Sequence, residues 1–446
     1  MFEKLGNFLS RMRGGIEPLA IRNAVGAEAA LSDEMSAAQA RWDDLYTADG
    51  GLHLASAIAS ETARLITVEL RSEITGSSRA EFLQKPYASL IENIRIPVEY
   101  GCAGGGVVFK PYVSGGRIEI DIVRADSFIP TAFDCSGQIC GAVFVQRITR
   151  GGEYFTRLEY HNLSGSVYTI KNRAFRSRTR GNLGQSIELS EVSEWAELSD
   201  ELSIGNISRP LFGYFRPAIA NTIDKNSPLG VSVYANAADL IEDADRQYAR
   251  LLWEFESGER ALIANTMAFK LDRSGKPQLP DKRLYRTLDV EDMDFFREWS
   301  PTLREESIIR GLDRIFRQIE FACGLAYGTL SDVGDCDKTA EEVRASKQRS
   351  YAMVADNQKA LRRALCDAVY AMDIWCSLYK LAPTGRYGIS FEFDDSIVAD
   401  RRTEFEEKRK LVESGIMAPW EFRMWYFGED EERARQALEN STNMEG

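Results

Sequence analysis

The chain has 446 residues, 44% hydrophobic and 28% charged, the balance of a folded protein too long for one ordinary core rather than of a disordered one. A formal net charge of −13 argues against a broad phosphate-gripping face, since that affinity comes from Lys and Arg, but not against a surface along which DNA slides. Two histidines, His53 and His161, and seven cysteines without a CxxC pair leave little for a general base near neutral pH, a zinc knuckle or a disulfide frame.

Both histidines read as surface or packing residues, and the cysteines as reduced thiols. No stretch approaches the roughly 18 uncharged apolar residues of a membrane span. The start, MFEKLGNFLSRMRGG, lacks a long apolar core and a small-residue cleavage site, so folding in the cytosol is expected.

In chain order, residues 17–48 are Ala-, Glu- and Gln-rich with helical period and end at the turn Thr47-Ala48-Asp49-Gly50-Gly51. Leu54, Ile58, Leu65 and Val68 predict a second helix over about 53–75. From Val98 to Ser199, segments such as GGVVFKPYV, GGRIEIDIV, GAVFVQRI, EYFTRLEYH and GSVYTI alternate apolar and polar residues between turn signals, which predicts an antiparallel β region. The run Gly101 to Lys110, GCAGGGVVFK, lacks the strand before and helix after that a phosphate loop needs, and reads as a tight turn or close backbone approach. Residues 200–236 read as irregular, with Pro210, Pro217 and Pro228.

Two amphipathic helices follow, over 238–257 and 302–323. In the first, Leu240, Ile241, Ala244, Tyr248, Leu251, Leu252 and Phe255 share about 120° of arc, with Asp239, Glu242, Asp243, Arg246, Arg250 and Glu254 opposite. In the second, Ile308, Ile309, Leu312, Ile315, Phe316, Ile319 and Cys323 form the stripe, with Glu306, Arg310, Arg314 and Arg317 across from it. Between them lie two short strand segments, ALIANTMAFKL and KRLYRTLDV, joined by DRSGKPQLPDK, with a basic cluster of Arg273, Lys276, Lys282, Arg283 and Arg286. That segment is too small for its own core. Its basic cluster reads equally as a solvated turn or as a face for DNA or an acidic partner.

GLAYGTLSDVGDCDKTAEEV then interrupts the helical pattern: Gly324, Gly328 and Gly334 permit unusual backbone angles, and Asp332, Asp335 and Asp337 discourage helix. Thr339 and Glu342 have capping-box spacing, and a helix over about 340–379 would span roughly 60 Å. Its stripe is Val343, Tyr351, Val354, Leu361, Leu365, Ala368, Met372 and Trp375, broken by Lys347 and Gln358. Residues 388–397 read as a strand returning to the β region. A charged helix over 400–413, a turn at Ser414-Gly415 and a final helix, APWEFRMWYFGEDEERARQALE, complete the chain. Trp420, Phe422, Trp425, Tyr426 and Phe427 are too aromatic for a solvated tail.

This order, helix, basic insert, helix, Gly/Asp loop and long helix, resembles the portal proteins of tailed bacteriophages, head-to-tail connectors of the siphophage type. The resemblance is strongest over GLAYGTLSD and KTAEEVRASKQRSY. It implies an α+β portal fold: an α/β wing over 1–231, a first stem helix over 232–262, a β-containing clip over 263–300 and a second stem helix over 301–323. A tunnel loop over 324–338, a long helix with a return strand to the wing over 339–399 and a helical crown over 400–446 follow.

The resemblance further implies a homo-oligomeric ring, usually a dodecamer, at one capsid vertex, through which double-stranded DNA is packaged and ejected. Implied partners are the terminase large subunit, a head-to-tail adaptor, and the major capsid and scaffolding proteins, with no membrane, no cofactor and no metal. The protein would be assembled in the host cytoplasm and reside in the virion. Candidate stem residues for the channel are Asp239, Glu242, Asp243 and Arg246. Asp332, Asp335, Asp337 and Lys338 are the candidates at the tunnel loop, and Arg273, Lys276, Lys282, Arg283 and Arg286 those for adaptor or terminase contact. No catalytic residue is needed. The alternatives are another phage head or connector protein, or a soluble enzyme using paired carboxylates, for which no short motif supplies a scaffold.

Overall fold

The computed structural model describes residues 23–179, 181–265, 269–270, 284–288, 296–332, 340–393, 401–427, 430–431 and 433–436. It divides into two compact units, a large one that includes Ser72–Ser390 and a small one formed by Glu69–Arg71 and the chain from Phe391.

The large unit starts with helices. Ser32, in extended backbone, caps α1 (Asp33–Tyr46) by accepting from the Met35 N–H. Gly26, at φ +73°, precedes a non-helical stretch at 27–32, so the continuous helix expected from residue 17 does not form across it. In α2 (Leu54–Thr67), Leu54, Ala55, Ile58, Ala59, Ala63 and Ile66 are buried. This helix stops short of the expected residue 75, because the period changes: in β1 (Leu70–Gly76), Ser72 and Ile74 are buried between exposed Arg71 and Glu73.

Two further helices follow, α3 (Ser78–Glu92) and α4 (Arg95–Gly104), and the second of them occupies the start of the expected β region. Pro97 falls in the first turn of α4, where its missing N–H costs nothing, and Val98 and Cys102 are buried one turn apart. The strands therefore begin at Val107 rather than Val98.

Nine strands follow: β2 (Val107–Ser114), β3 (Arg117–Arg124), β4 (Phe128–Phe133), β5 (Ile139–Arg150), β6 (Glu153–Ser164), β7 (Val167–Ser177), β8 (Gln185–Ile187), β9 (Glu201–Gly205) and β10 (Gly213–Phe215). The last two correct the reading of 200–236 as irregular, and both are short strands that take their place from longer partners. All pairings are antiparallel: β4-β5-β6-β7-β8 with β9 also on β7, and separately β10-β2-β3. Ser114 pairs Arg117 and Arg150 pairs Glu153, each across two glycines at positive φ, the tightest hairpin turn available.

The remaining elements are α5 (Ala238–Ser257), β11 (Ala261–Asn265), β12 (Tyr285–Leu288), β13 (Phe296–Trp299), α6 (Glu305–Cys323), α7 (Ala340–Leu378), β14 (Tyr387–Phe393), α8 (Arg401–Glu413) and α9 (Pro419–Phe427). Helix α7 matches the expected length. Val354, Leu361, Leu365, Ala368, Met372 and Trp375 of its stripe are buried, whereas Tyr351 is exposed. Ala371 and Trp375 join Tyr168, Ile170, Ile207 and Leu211 in one core cluster, so α7 covers β7 and the chain after β9. A second cluster, Val25, Ile129, Val143, Leu158 and Leu183, involves β4, β5 and β6.

At Gly213 a Cβ would lie 2.0 Å from the Ala364 carbonyl oxygen, so the α7 backbone can approach β10 only where no side chain stands. The glycine run after α4 has a similar cause: Gly105 (φ +83°) would put a Cβ 2.7 Å from the Gly230 carbonyl oxygen. Close backbone approach, not phosphate binding, explains that run.

Strand β14 pairs with β1 in a two-stranded ribbon instead of returning to the β-region sheets. Within the large unit the Ser72 hydroxyl donates to the Ser390 carbonyl at 2.7 Å, and the Ser77 N–H to that of Arg386 at 3.1 Å. The fully buried Arg79 guanidinium donates to the Pro383 and Asp373 carbonyls and pairs with the Asp373 carboxylate at 3.2 Å.

In the small unit, Phe405 of α8 packs edge-on against Phe422 and Tyr426 of α9, with ring centroids 5.3 and 5.2 Å away. Lys408 lies over the Trp425 ring. Helix α9 ends at Phe427, and Glu431 and residues 433–436 are helical again beyond a non-helical Asp430, in place of the single helix expected through Glu439.

Candidate functional site

Helices α5 and α6 pack side by side within the large unit, joined by the segment that carries β11, β12 and β13. At the start of α5, Ala238, Ile241 and Ala244 are buried, and the acidic face meets the N-terminal helix. The Arg41 guanidinium of α1 contacts Asp239 at 2.5 Å and Glu242 at 2.7 Å. Asp245 accepts from the Leu52 N–H at 2.8 Å, and Asp243 pairs with Arg246 one turn on. Four carboxylates here face two guanidiniums, which leaves an excess of two negative charges. Glu242 is 41% exposed and Asp239 87% exposed, so both remain accessible beside Arg41.

At the other end of α5, the Glu254 carboxylate is almost buried and receives both the Arg304 backbone N–H (3.1 Å) and its guanidinium (2.7 Å). One side chain thus takes up an orphan amide at the start of α6 and ties the two helices. These Arg304 hydrogen bonds lower the Glu254 pKa from its ordinary value.

Beyond them, β11 is the centre of a three-stranded sheet. It runs parallel to β12, with Leu262 opposite Tyr285, and antiparallel to β13, with Ala261 opposite Trp299. The third strand was not legible in the sequence. Among the predicted basic residues, Arg286 lies in β12 opposite Ile263, while Arg273, Lys276, Lys282 and Arg283 lie outside the described residues. Leu252, Trp253, Phe255, Trp299 and Ile309 are large apolar side chains left exposed around this region.

Helix α6 ends in a Schellman arrangement: Gly324 is left-handed (φ +72°), its N–H reaches the Phe321 carbonyl, and the Leu325 N–H reaches that of Glu320. The chain then folds back over a buried carboxylate. Glu320 is fully buried, and its Oε1 accepts the backbone N–H groups of Gly328 (3.1 Å), Leu330 (2.6 Å) and Ser331 (2.9 Å). Its Oε2 accepts the Ser331 hydroxyl at 2.8 Å. One turn-pair earlier, Asp313 accepts the Asp332 N–H at 2.8 Å and pairs with Arg317 at 2.6 Å. From α7, the Arg349 guanidinium lies 4.5 Å from the Phe321 ring centre and 5.7 Å from that of Tyr327.

Asp332 is exposed at the end of this stapled segment, and Asp335, Asp337 and Lys338 lie outside the described residues, as does the Thr339 cap. Sequence reasoning passed over Glu320 and Arg41. Glu320 did leave a signal: an acidic residue in a helix's last turn opposes the macrodipole, which implies that something else satisfies it. Arg41 left none, since its partners are about two hundred positions away.

His161 is buried, not catalytic in setting. Its Nδ1 is 2.8 Å from the Tyr168 hydroxyl and its Nε2 2.9 Å from Glu159, an arrangement that suits a neutral ring donating from Nε2. Glu159 also holds Lys110 (2.5 Å) and Arg157 (3.0 Å). A groove of about 760 Å³ between α3, α4 and β3 is walled by Phe82, Pro86, Ile96, Tyr100, Ile118 and Ile120, without a facing carboxylate pair. Among the described residues no cluster of His, Cys, Asp and Glu is arranged to hold a metal ion, no helix is long and apolar enough to cross a membrane, and the six cysteines are free thiols.

The chain is thus a mixed α+β protein with a helical hairpin, a small three-stranded sheet, a stapled loop and a 39-residue helix. The family model for phage portal proteins, SPP1 Gp6-like, matches residues 92–444, and the chain belongs to that family. No curated protein matches it.

Proposed function

We propose that this portal protein is the subunit of a ring-shaped channel at one capsid vertex, through which double-stranded DNA is packaged and later ejected. In this reading residues 1–231 are the wing, 232–262 and 301–323 the stem, 263–300 the clip, 324–338 the tunnel loop, 339–399 the long helix with its following strand, and 400–446 the crown. The clip docks the terminase large subunit during filling and a head-to-tail adaptor afterwards, and the outer faces meet the major capsid and scaffolding proteins.

The observation that carries the reading is the α5/α6 hairpin with its small sheet, closed by the Glu254–Arg304 tie and followed directly by the stapled loop and α7. A three-stranded sheet of this size lacks a core of its own and gains from strand pairing or packing with neighbouring copies. The exposed Leu252, Trp253 and Phe255 suit burial between neighbouring stems. The net acidity around Asp239, Glu242, Asp243 and Asp245 suits a wall that repels phosphates and lets DNA move, because each bound Lys or Arg adds counterion-release affinity. Asp332, Asp335 and Asp337 extend that acidity toward the constriction.

Native mass spectrometry with negative-stain imaging tests the ring: about a dozen 50.1 kDa subunits around a central hole is the expected result. Deleting 263–300 should leave soluble subunits whose rings are unstable or fail to bind adaptor. Replacing Asp332, Asp335 and Asp337 with Lys should impair packaging or DNA retention while rings still assemble. Normal packaging by that variant removes the loop from the DNA path.

A further inference from the structure

We infer that Glu320 is a positioning residue for the loop after α6: its buried carboxylate fixes residues 325–332 to the second stem helix, so that this segment and α6 move as one body. The inference rests on the proposed function for what the loop does, but the clamp itself stands on geometry. A carboxylate with no solvent exposure must have its charge compensated, and no Lys or Arg is seen bonded to it among the described residues. Compensation comes from the loop, through three backbone N–H groups and one hydroxyl that converge on the two oxygens. The Gly328, Leu330 and Ser331 amides converge on one oxygen because the chain turns at Gly328 (φ +88°).

Two independent contacts hold the same segment. The Asp332 N–H is taken by Asp313, two turns back along α6, and Leu325 is fully buried beneath the turn. Arg349 of α7, stacked over Phe321 and Tyr327, closes the far side. A rotation of α6 is therefore transmitted to Asp332. Without Glu320, Gly328, Leu330 and Ser331 lose a shared acceptor and the segment is released from the helix.

The length of the side chain matters more than its charge. Gln keeps the reach and an oxygen for the three amides, and its amide nitrogen can donate to the Ser331 hydroxyl. Asp keeps the charge but is one methylene short. A role that depended on charge alone would reverse this order.

The test uses the full-length assembled protein. Hydrogen exchange measured by mass spectrometry on E320A, E320D and E320Q rings should show amides of 325–332 exchanging about 10- to 100-fold faster in the first two, the loss expected when buried amides are left without their acceptor. E320Q should stay close to the parent. Ring mass should be unchanged in all three. Complementing a phage whose own portal gene is disrupted, E320A and E320D should yield fewer DNA-filled heads, and E320Q should rescue.

Unchanged exchange in both E320A and E320D overturns the clamp. Faster exchange with normal filling, in a background where the Lys replacements at Asp332, Asp335 and Asp337 do block filling, overturns the positioning role alone. If the Lys replacements are also silent, the channel reading of the loop fails while the clamp stands. Should E320A fail to fold, the contrast between E320D and E320Q decides the same question.

Discussion

Replacing Glu159 with Gln should cost about 3–5 kcal/mol of stability in the β region, the range for breaking a buried ion pair from one side. Lys110, Arg157 and Glu159 are 7, 11 and 14% exposed at their side chains, so water can do little to compensate. The carboxylate answers two cations, at 2.5 and 3.0 Å, and a buried His161. Burial by itself would raise the Glu159 carboxyl, but Lys110, Arg157 and the His161 hydrogen bond hold it well below the ordinary range. Burial is also the main reason His161 titrates below its ordinary value, with Glu159 opposing and the two cations adding to the depression.

Both shifts have the same sign for stability. As pH falls, the unfolded chain takes up protons at His161 and then Glu159 before the folded chain does, so stability is lost first below about pH 6.5 and further below about pH 4.3. Urea unfolding followed by tryptophan emission is the assay. Trp195 reports on the site, because its indole N–H and the Arg157 Nε share the Gln146 oxygen, each at 3.0 Å. Parent and E159Q are compared at equal protein concentration, since assembly shifts apparent stability. A K110M/R157M/E159L triple variant should recover much of the loss, because replacing all three charges leaves none stranded. A cost below about 1 kcal/mol for E159Q would refute the claim that this network is sealed from solvent.

Gly213→Val should abolish soluble expression, because its Cβ would meet the Ala364 carbonyl at 2.0 Å, whereas Gly205→Ala, with no atom within 4 Å, should express normally; the soluble fraction on a gel decides it. A thiol reagent on the native protein should modify exposed Cys135 long before Cys102, Cys323 or Cys376, which are buried and whose thiols burial pushes up, in Cys323 to about 12. Peptide mapping after brief labelling checks the order.

What the sequence determined by itself was the local grammar. A period of 3.6 marked α5, α6 and α7, paired glycines marked the β2–β3 and β5–β6 turns, and the Gly/Asp run marked the break after α6, because each depends on residues within a few positions of one another. That order of parts was enough to suggest the portal family. What only the tertiary structure decided was pairing between distant segments. Residues 70–76 became a strand because β14 supplied its partner, and β11 acquired both a parallel and an antiparallel neighbour from segments whose individual patterns name no register. Glycine 213 is dictated by a helix some 150 positions later, Arg41 by carboxylates at the start of α5, and Glu320 by amides that converge only after the chain has turned back at Gly328. Periodicity is written along the chain; the satisfaction of a buried charge or the fit of two backbones is a property of what the fold brings together.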